Sequence, residues 1–272
     1  MKNTTIFCLT LNPEHEKIIK ELSYVPVGLG NLKFSENCLS DKIGENISNK
    51  NSYYGEYTFH YWIWKNYLSE IKTEWVGFCQ YRKFFVNKLS DSSINLQELN
   101  KSVIHDIDKK FLDYDCILGS QFYVHNYKLS KIIKNHFFKF MINPAKIFDK
   151  KKRSLKFHFD LFHGKNNLEL ATDLLEKNDR EDFKNFMSQR ISFNPHNMFI
   201  CKTKILRNYY ETIFPWLKKC ESIFGFDDLN GYGLKRIYGF LAERFLSYWF
   251  LKNYSVKEMP IFIKDLSDYK DL

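Results

Sequence analysis

The chain has 272 residues, of which 44% are apolar and 18% aromatic, and it carries a formal net charge of +9. This composition excludes a disordered, fibrous or disulfide-stapled protein, because a chain of this length buries enough apolar surface to fold without cross-links. The positive charge indicates an anionic partner and leaves nucleic acid, anionic lipid and a phosphorylated small molecule as alternatives.

Short apolar runs and helical patterns alternate along the chain. The runs predict strands at Thr5–Thr10, Tyr24–Val27, Trp75–Tyr81, Cys116–Leu118, Asn197–Cys201 and Met259–Ile263. Helices are predicted at Ser52–Tyr67, Asn167–Glu176, Lys204–Phe224 and Tyr232–Leu251. This alternation predicts an α/β fold with a mostly parallel central sheet flanked by helices. Because no repeat or Pro/Gly/Ser-rich linker interrupts the pattern, we expect a single domain over residues 1–272.

The six cysteines are scattered, and none has the C-x-x-C spacing of a redox pair or a zinc ribbon. The first residues lack the apolar core of a signal peptide. No uncharged apolar run reaches the roughly 20 residues of a membrane helix. We therefore expect a cytoplasmic protein.

A basic segment follows the fourth predicted strand. Between Lys128 and Lys156 there are ten Lys or Arg residues and one acidic residue, Asp149, interleaved with apolar side chains. This pattern is typical of peripheral contact with an anionic membrane surface, here the cytoplasmic face of the inner membrane. A solvated helix face with a basic loop at Lys150–Arg153 explains it equally well.

Two patterns are too weak to assign a site. The sequence Gly28-Leu29-Gly30 begins like a dinucleotide fingerprint, but Lys33 stands where the third glycine belongs. Two D-x-D triplets, at Asp106–Asp108 and Asp113–Asp115, precede an apolar run, whereas the metal-binding triplet of sugar-nucleotide transferases follows one. No metal site or cofactor is predicted, although Mn²⁺ or Mg²⁺ bound by separated carboxylates stays open.

Three parts of the chain carry distinctive motifs: Gly44–Asn66, Val76–Phe85, and the pair Asn194–Ile200 and Gly239–Arg244. Together they resemble a family of bacterial capsule and exopolysaccharide glycosyltransferases that is catalogued as a domain of unknown function. Gln80 replaces the usual His of the family pattern, and Lys83 replaces its second Arg. The resemblance implies a GT-A-like fold and an inverting transfer from a nucleotide-sugar donor, most often a UDP-sugar. In some members the sugar is galactofuranose, and the acceptor is a glycan or a lipid-linked glycan.

Charged residues in these motifs are candidates for the donor site. Glu56 lies one turn before His60 on a predicted aromatic helix, so it either grips sugar hydroxyls or pairs with His60. Arg82 follows a strand and can hold a diphosphate bidentately, with Lys50 sharing the charge, unless both are ordinary surface residues. The same motifs supply the other residues that we expect to bind the donor: Asn46, Asn51, Tyr54 and Tyr81.

On the last predicted helix, Arg236, Gly239 and Glu243 share one stripe, which is either functional or merely an exposed charged face. The resemblance implies that Glu243 is the general base, and that Arg236 or Arg244 binds phosphate or orients it. The expected acceptor-binding residues are His163, His196, Asn197 and Arg244.

Two other functions fit parts of the sequence. A nucleic-acid-binding module fits the charge and the aromatic residues, but no RNA-recognition signature or helix-turn-helix supports it, so no nucleic-acid partner is predicted. A non-catalytic scaffold at the membrane would depend on the Lys150–Arg153 cluster and would tolerate substitution of Glu243.

Overall fold

The computed structural model describes residues 3–89, 94–124 and 153–269. The strands within these ranges are β1 Thr4–Thr10, β2 Val25–Gly28, β3 Leu39–Ser40, β4 Trp75–Gln80, β5 Lys83–Phe85, β6 Cys116–Gly119, β7 Phe122–Tyr123, β8 Ser192–Phe193, β9 Phe199–Lys202, β10 Val256–Met259 and β11 Ile261–Ile263. The helices are α1 His15–Glu21, α2 Asn51–Tyr54, α3 Tyr57–Trp62, α4 Leu96–Ser102, α5 Leu155–His163, α6 Asn167–Asp173, α7 Lys177–Gln189, α8 Thr203–Phe224, α9 Tyr232–Lys235 and α10 Ile237–Asn253.

The main sheet has the strand order β10-β6-β9-β4-β1-β2-β3. Strands β3, β2, β1 and β4 are parallel, and β10 is parallel to β6. Strand β9 lies antiparallel between β4 and β6, with Phe199 opposite Phe78. The predicted α/β fold with a mostly parallel sheet is therefore confirmed.

The two faces of the sheet bury alternate residues of each strand, as the period-2 geometry of a strand requires. On one face, Phe7 and Phe78 belong to the core cluster that includes buried residues of α3, α8 and α10. On the other face, Ile6 and Cys79 pack with α1 and α4. Because helices cover both faces, the central strands read as continuous apolar runs.

The six cysteines are all buried and unpaired. Cys8 and Cys79 lie in the second core cluster, and Cys116 and Cys201 lie in the first. They pack as small apolar side chains.

The predicted helix at Ser52–Tyr67 is interrupted. It consists of α2, a break at Gly55 with φ of 60°, α3, and a π-helical turn at Ile63–Tyr67. The predicted helix at Tyr232–Leu251 is likewise divided at Arg236 into α9 and α10. The side chains at these two breaks, Glu56 and Arg236, line the same polar cleft.

In the basic segment Lys128–Lys156, positions 128–152 lie outside the described residues. Within the described part, Arg153 is buried and Lys156 pairs with Asp160 at 2.6 Å, so neither is part of a freely solvated basic loop. Among the helices of the described ranges, none is long and apolar enough to cross a membrane.

Candidate active site

A polar cleft lies at the carboxyl ends of β1, β2 and β4, where open α/β sheets bind their ligands. Strand β9 runs antiparallel to β4, so its first residues meet the last residues of β4 at this edge. The cleft continues from the strand ends to the start of α10. Its lining comprises Thr10, Leu29, Asn51, Gly55, Glu56, Gln80, Tyr81, Arg82, Lys83, His196, Asn197, Tyr232, Arg236, Gly239, Phe240 and Glu243.

Glu56 connects three elements at the centre of the cleft. Its Oε1 accepts hydrogen bonds from Gln80 Nε2 at 3.2 Å and from Asn197 Nδ2 at 2.9 Å. Its Oε2 pairs with Arg236 Nη2 at 3.3 Å. A Cβ on Gly55 would overlap Arg236 Nη2, so only glycine at this position allows the guanidinium to approach. The carboxylate is thus anchored while it lines the cleft.

The alternative pairing of Glu56 with His60 is wrong. His60 is fully buried, and its Nδ1 lies 3.0 Å from the Tyr210 hydroxyl. Its Nε2 has no hydrogen-bond partner within the described residues. The two residues still lie one turn apart at the start of α3, where the Glu56 carbonyl accepts a hydrogen bond from the His60 N–H at 3.4 Å. Their side chains diverge, because the Glu56 carboxylate binds Gln80, Asn197 and Arg236 in the cleft whereas the His60 ring packs in the core.

Glu243 is held through both carboxylate oxygens. Its Oε1 accepts a hydrogen bond from the backbone N–H of His196 at 2.5 Å, and its Oε2 accepts one from Arg244 Nη1 at 2.5 Å. Burial raises the pKa of Glu243, but the Arg244 charge and the His196 N–H outweigh burial and hold the pKa below its usual range. Glu243 is consequently an ionised carboxylate at neutral pH.

The backbone between Pro195 and β9 is strained. His196 and Asn197 both have positive φ, 81° and 53°, a region that L-residues other than glycine seldom occupy. The conformation is fixed on both sides of His196, because its N–H binds Glu243 and its carbonyl accepts from Gln80 Nε2 at 3.0 Å. Asn197 is held by Glu56 and by a hydrogen bond to the Gly239 carbonyl at 3.2 Å. Such outliers persist where surrounding contacts impose them, and they cluster at functional sites.

Three cationic side chains line this cleft: Arg82, Lys83 and Arg236. The exposed Arg82 lies over the Tyr81 ring at 5.4 Å, and within the described residues it makes no ion pair. Lys83 donates to Gln80 Oε1 at 3.3 Å, and burial lowers the pKa of its ammonium group. Arg82 therefore leaves its guanidinium donors available to an anionic ligand.

The D-x-D triplets lie at the amino ends of the strands, opposite the ends that form the cleft. Asp106 accepts a hydrogen bond from the backbone N–H of Asn3, before the start of β1, and Asp115 pairs with Lys202 at 2.8 Å before the start of β6. In the described ranges, no cluster of three or more His, Cys, Asp or Glu residues has the arrangement of a metal site.

An aromatic cavity adjoins the polar cleft and shares His196, Tyr232, Phe240 and Glu243 with it. His163 lies in its wall, stacked on Phe240 with 4.0 Å between ring centroids, and its Nδ1 binds the Gly233 carbonyl at 3.0 Å. Arg244, which is 2% exposed, lies 3.6 Å over the Phe193 ring.

Comparisons with known proteins identify the family. Residues 9–254 match the sequence profile described as "Domain of unknown function (DUF4422)". The chain belongs to the DUF4422 family. A comparison with solved structures matches the DUF4422 chain to the apo structure of the WbbM bifunctional glycosyltransferase, with a TM-score of 0.69 and 20% sequence identity. The match covers 96% of this chain and 45% of that protein, so the DUF4422 chain spans less than half of its length. No curated protein sequence matches.

The structure of the DUF4422 chain brings most of the predicted site residues together. Asn51, Glu56, Tyr81, Arg82 and Arg236 line the polar cleft. His196, Asn197 and Glu243 line its far end, and His163 and Arg244 line the adjoining cavity. The predicted stripe of Arg236, Gly239 and Glu243 faces the cleft, although Arg236 precedes α10.

Three predicted donor-binding residues are not among those that line the cleft. Lys50 pairs with Glu221 on α8 at 2.5 Å, and the buried Tyr54 donates to the same carboxylate at 2.9 Å. Asn46 stabilises a turn, donating to the Gly44 carbonyl at 2.8 Å. The contribution of all three to donor binding stays a prediction, whereas the contacts of Lys50 and Tyr54 with Glu221 hold α2 against α8.

Sequence analysis missed Gln80, Lys83 and Tyr232 as site residues. The first two differ from the family pattern in the second motif, and they end β4 and begin β5. Their position beside the end of a predicted strand was the feature of the sequence that could have identified them as site residues. Tyr232 follows Gly231 at the start of α9, and no local pattern marks it.

Proposed function

We propose that this chain is an inverting glycosyltransferase that uses a nucleotide-diphosphate sugar, most often a UDP-sugar, and a surface-polysaccharide acceptor. Galactofuranose is the sugar that the family resemblance favours, and residues 1–272 act as one transferase domain at the cytoplasmic face of the inner membrane. The observation that carries the proposal is one cleft lined by three cations, Arg82, Lys83 and Arg236, and two carboxylates, Glu56 and Glu243. The fold shared with a bifunctional glycosyltransferase supports it.

The cations are suited to the donor diphosphate. Arg82 offers bidentate hydrogen bonds at the carboxyl end of β4, and Lys83 and Arg236 add positive charge to the same cleft. Charge-assisted bonds to the departing diphosphate stabilise the transition state, because negative charge develops on that group. Glu56, Asn51 and Tyr81 line the cleft beside them and offer partners for sugar and ribose hydroxyls.

The reaction is a displacement at the anomeric carbon of the donor sugar. The acceptor hydroxyl oxygen forms the new bond to this carbon while the bond to the diphosphate oxygen breaks, and the diphosphate leaves with the electron pair. The hydroxyl proton passes to the Glu243 carboxylate. Its pairing with Arg244 keeps this carboxylate ionised and hence able to accept a proton, although it also weakens the base.

Thermal unfolding with UDP, GDP, CMP or no nucleotide, each in EDTA and in Mn²⁺, tests the donor class. A ligand at 100 times its Kd stabilises the folded state by about 2.7 kcal/mol and should raise Tm by several degrees. We expect a shift with UDP in EDTA. A shift only with Mn²⁺ would mean that a metal shares the role of the cations, and no shift with any nucleotide would contradict the proposal.

Arg82→Ala tests directly whether the cations of the cleft bind the donor diphosphate. Arg82 makes no ion pair within the described residues, so the free energy of unfolding should change by no more than about 0.5 kcal/mol. The Kd for UDP should rise about 10-fold or more, as the loss of a charge-assisted hydrogen bond predicts. Arg207→Ala is the matched control: this residue is on α8, its side chain is 65% exposed, and it pairs only with Glu211 in the described structure. Equal UDP affinity in the two variants would remove Arg82 from the donor site.

A further inference from the structure

The aromatic cavity beside the polar cleft has the construction of a sugar subsite. Its walls present flat rings and one proline from four parts of the chain: Phe122, Phe162, Phe193, Pro195, Tyr232 and Phe240. Two of these rings are open to solvent, since Tyr232 is 71% exposed and Phe122 is 37% exposed. Exposed aromatic rings in the wall of a cavity offer flat faces against which a ligand ring can pack.

The charges at the floor of the cavity balance each other. Among the described residues that line it, the ionised side chains are Glu243 and Arg244, which pair at 2.5 Å. The three histidines in the lining are neutral at physiological pH: burial lowers the pKa of His163 to about 3, that of His196 to about 4, and that of His158 well below its usual value. The described lining of the cavity therefore offers no net charge to a ligand.

The floor is nevertheless polar. Glu243, Arg244 and His196 all line the cavity beneath the aromatic walls. A hydrocarbon chain would remove these groups from water and offer them no hydrogen bond in exchange, which is costly. A charged sugar would find no unpaired counter-charge among the described residues of the lining, because Arg244 is already paired with Glu243. A neutral sugar satisfies both conditions, since its C–H face covers an aromatic ring and its hydroxyls bind polar groups.

We propose that this cavity binds an uncharged sugar residue of the acceptor, with its ring against Tyr232 and one hydroxyl directed to Glu243. Because Tyr232 and Glu243 line both the cavity and the polar cleft, a sugar here has its hydroxyl at the boundary with the donor. The inference rests on the proposed function and names its acceptor class.

Saturation-transfer NMR on the full chain tests the cavity without a donor. The probes are methyl β-galactoside, methyl α-glucoside and methyl α-rhamnoside as neutral sugars, methyl β-glucuronide as the charged sugar, and a short polyprenyl phosphate in detergent micelles. We expect transfer to neutral glycosides and weaker transfer to the glucuronide. Stronger binding of the glucuronide, transfer to polyprenyl phosphate alone, or no transfer to any neutral glycoside would overturn the inference.

Two variants of the exposed Tyr232 locate the binding. Tyr232→Ala should weaken neutral glycoside binding roughly 2- to 12-fold, the range expected for loss of one aromatic face contact. Tyr232→Phe keeps the ring and should bind nearly as the parent does. Leu112→Ala removes a 45% exposed apolar side chain that precedes β6 and is not in the cavity lining, so it should change nothing. Equal binding by Tyr232→Ala and the parent would overturn the inference.

The UDP-dependent shift of Tm separates this inference from the proposed function. A UDP shift without binding of neutral glycosides refutes the sugar cavity and leaves the transferase proposal standing. Glycoside binding that depends on Tyr232, without any nucleotide shift, refutes the transferase proposal alone.

Discussion

The backbone N–H of His196 donates a hydrogen bond to Glu243 Oε1 at 2.5 Å, which connects the start of β9 to α10. His196 has φ of 81°, and its carbonyl is bound by Gln80, so the Glu243 carboxylate helps to impose a strained backbone conformation. The carboxylate proposed as the base thus also positions the segment that holds Asn197 against Glu56. Substitutions of Glu243 are expected to affect turnover and stability together.

Glu243→Gln should lower turnover by about 10²- to 10⁴-fold, the usual contribution of a general base. It should also lower the free energy of unfolding by about 3 kcal/mol or more, because Arg244 is 2% exposed and would lose its counter-charge. Turnover and urea unfolding measure the two effects. Glu243→Asp is the control that keeps the charge: it should retain most of the stability but lose turnover, because the carboxylate is withdrawn by one methylene. Full turnover in Glu243→Gln would exclude the base role.

Gly55→Ala tests whether the break before Glu56 positions Arg236. Gly55 has φ of 60° and ψ of −135°, and a Cβ there would overlap Arg236 Nη2. The variant should lose about 1–3 kcal/mol of stability from backbone strain, and displacement of Arg236 should also weaken UDP binding.

Gly225→Ala is the matched control for this variant. Gly225 has nearly the same conformation, φ of 55° and ψ of −148°, but a Cβ there would meet no atom of the structure within 4 Å. It should show a similar loss of stability with an unchanged Kd for UDP. Equal UDP affinity in the two variants would mean that Arg236 adjusts freely and does not depend on Gly55.

Acid should destabilise the protein through the buried His60. Burial lowers the pKa of His60 to about 3, whereas the unfolded chain binds this proton near pH 6.5. Between these values the unfolded state holds more protons, so the free energy of unfolding falls as the pH falls, by at most about 1.4 kcal/mol per pH unit for one histidine.

Comparison of urea unfolding at pH 7 and pH 5 for the parent and His60→Phe isolates this contribution. The other histidines and Glu243 are common to both proteins, so their effects cancel. The variant should be less stable at pH 7, because Tyr210 loses its partner, but its loss on acidification should be smaller by about 2 kcal/mol. Parallel losses in the two proteins would show that His60 does not titrate on unfolding.

Local patterns predicted the regular elements well and the breaks poorly. The predicted helix Lys204–Phe224 agrees with α8 to within one residue, because its apolar stripe and its end before Gly225 are both visible in the sequence. The aromatic residues on every side of Ser52–Tyr67 hid the interruption, and Gly55 was the only local sign of it. Helices α1, α4, α5 and α7 were not predicted at all.

The site depended on information that no single segment contains. Glu56 and Asn197 are 141 residues apart: the antiparallel direction of β9 brings Asn197 to the carboxyl end of β4, where Gln80 binds Glu56. Strand direction is a property of the whole sheet, so the sequence predicted each residue as a candidate without predicting their contact. The positive φ values at His196 and Asn197 were equally hidden, because neither residue is a glycine.

Lys50→Met distinguishes the predicted donor contact from the ion pair seen in the structure. Lys50 Nζ lies 2.5 Å from Glu221 Oε1, where the carboxylate side chain is 9% exposed, so removal of the charge should lower the free energy of unfolding by roughly 1–2 kcal/mol. The Kd for UDP should not change, because Lys50 is not among the residues that line the cleft. Lys218→Met is the matched control, since Lys218 binds the other oxygen of Glu221 at 2.9 Å with 75% of its side chain exposed and should contribute less than about 0.5 kcal/mol. If Lys50→Met weakens UDP binding while its stability equals that of Lys218→Met, then Lys50 reaches the donor and the ion pair with Glu221 is incidental.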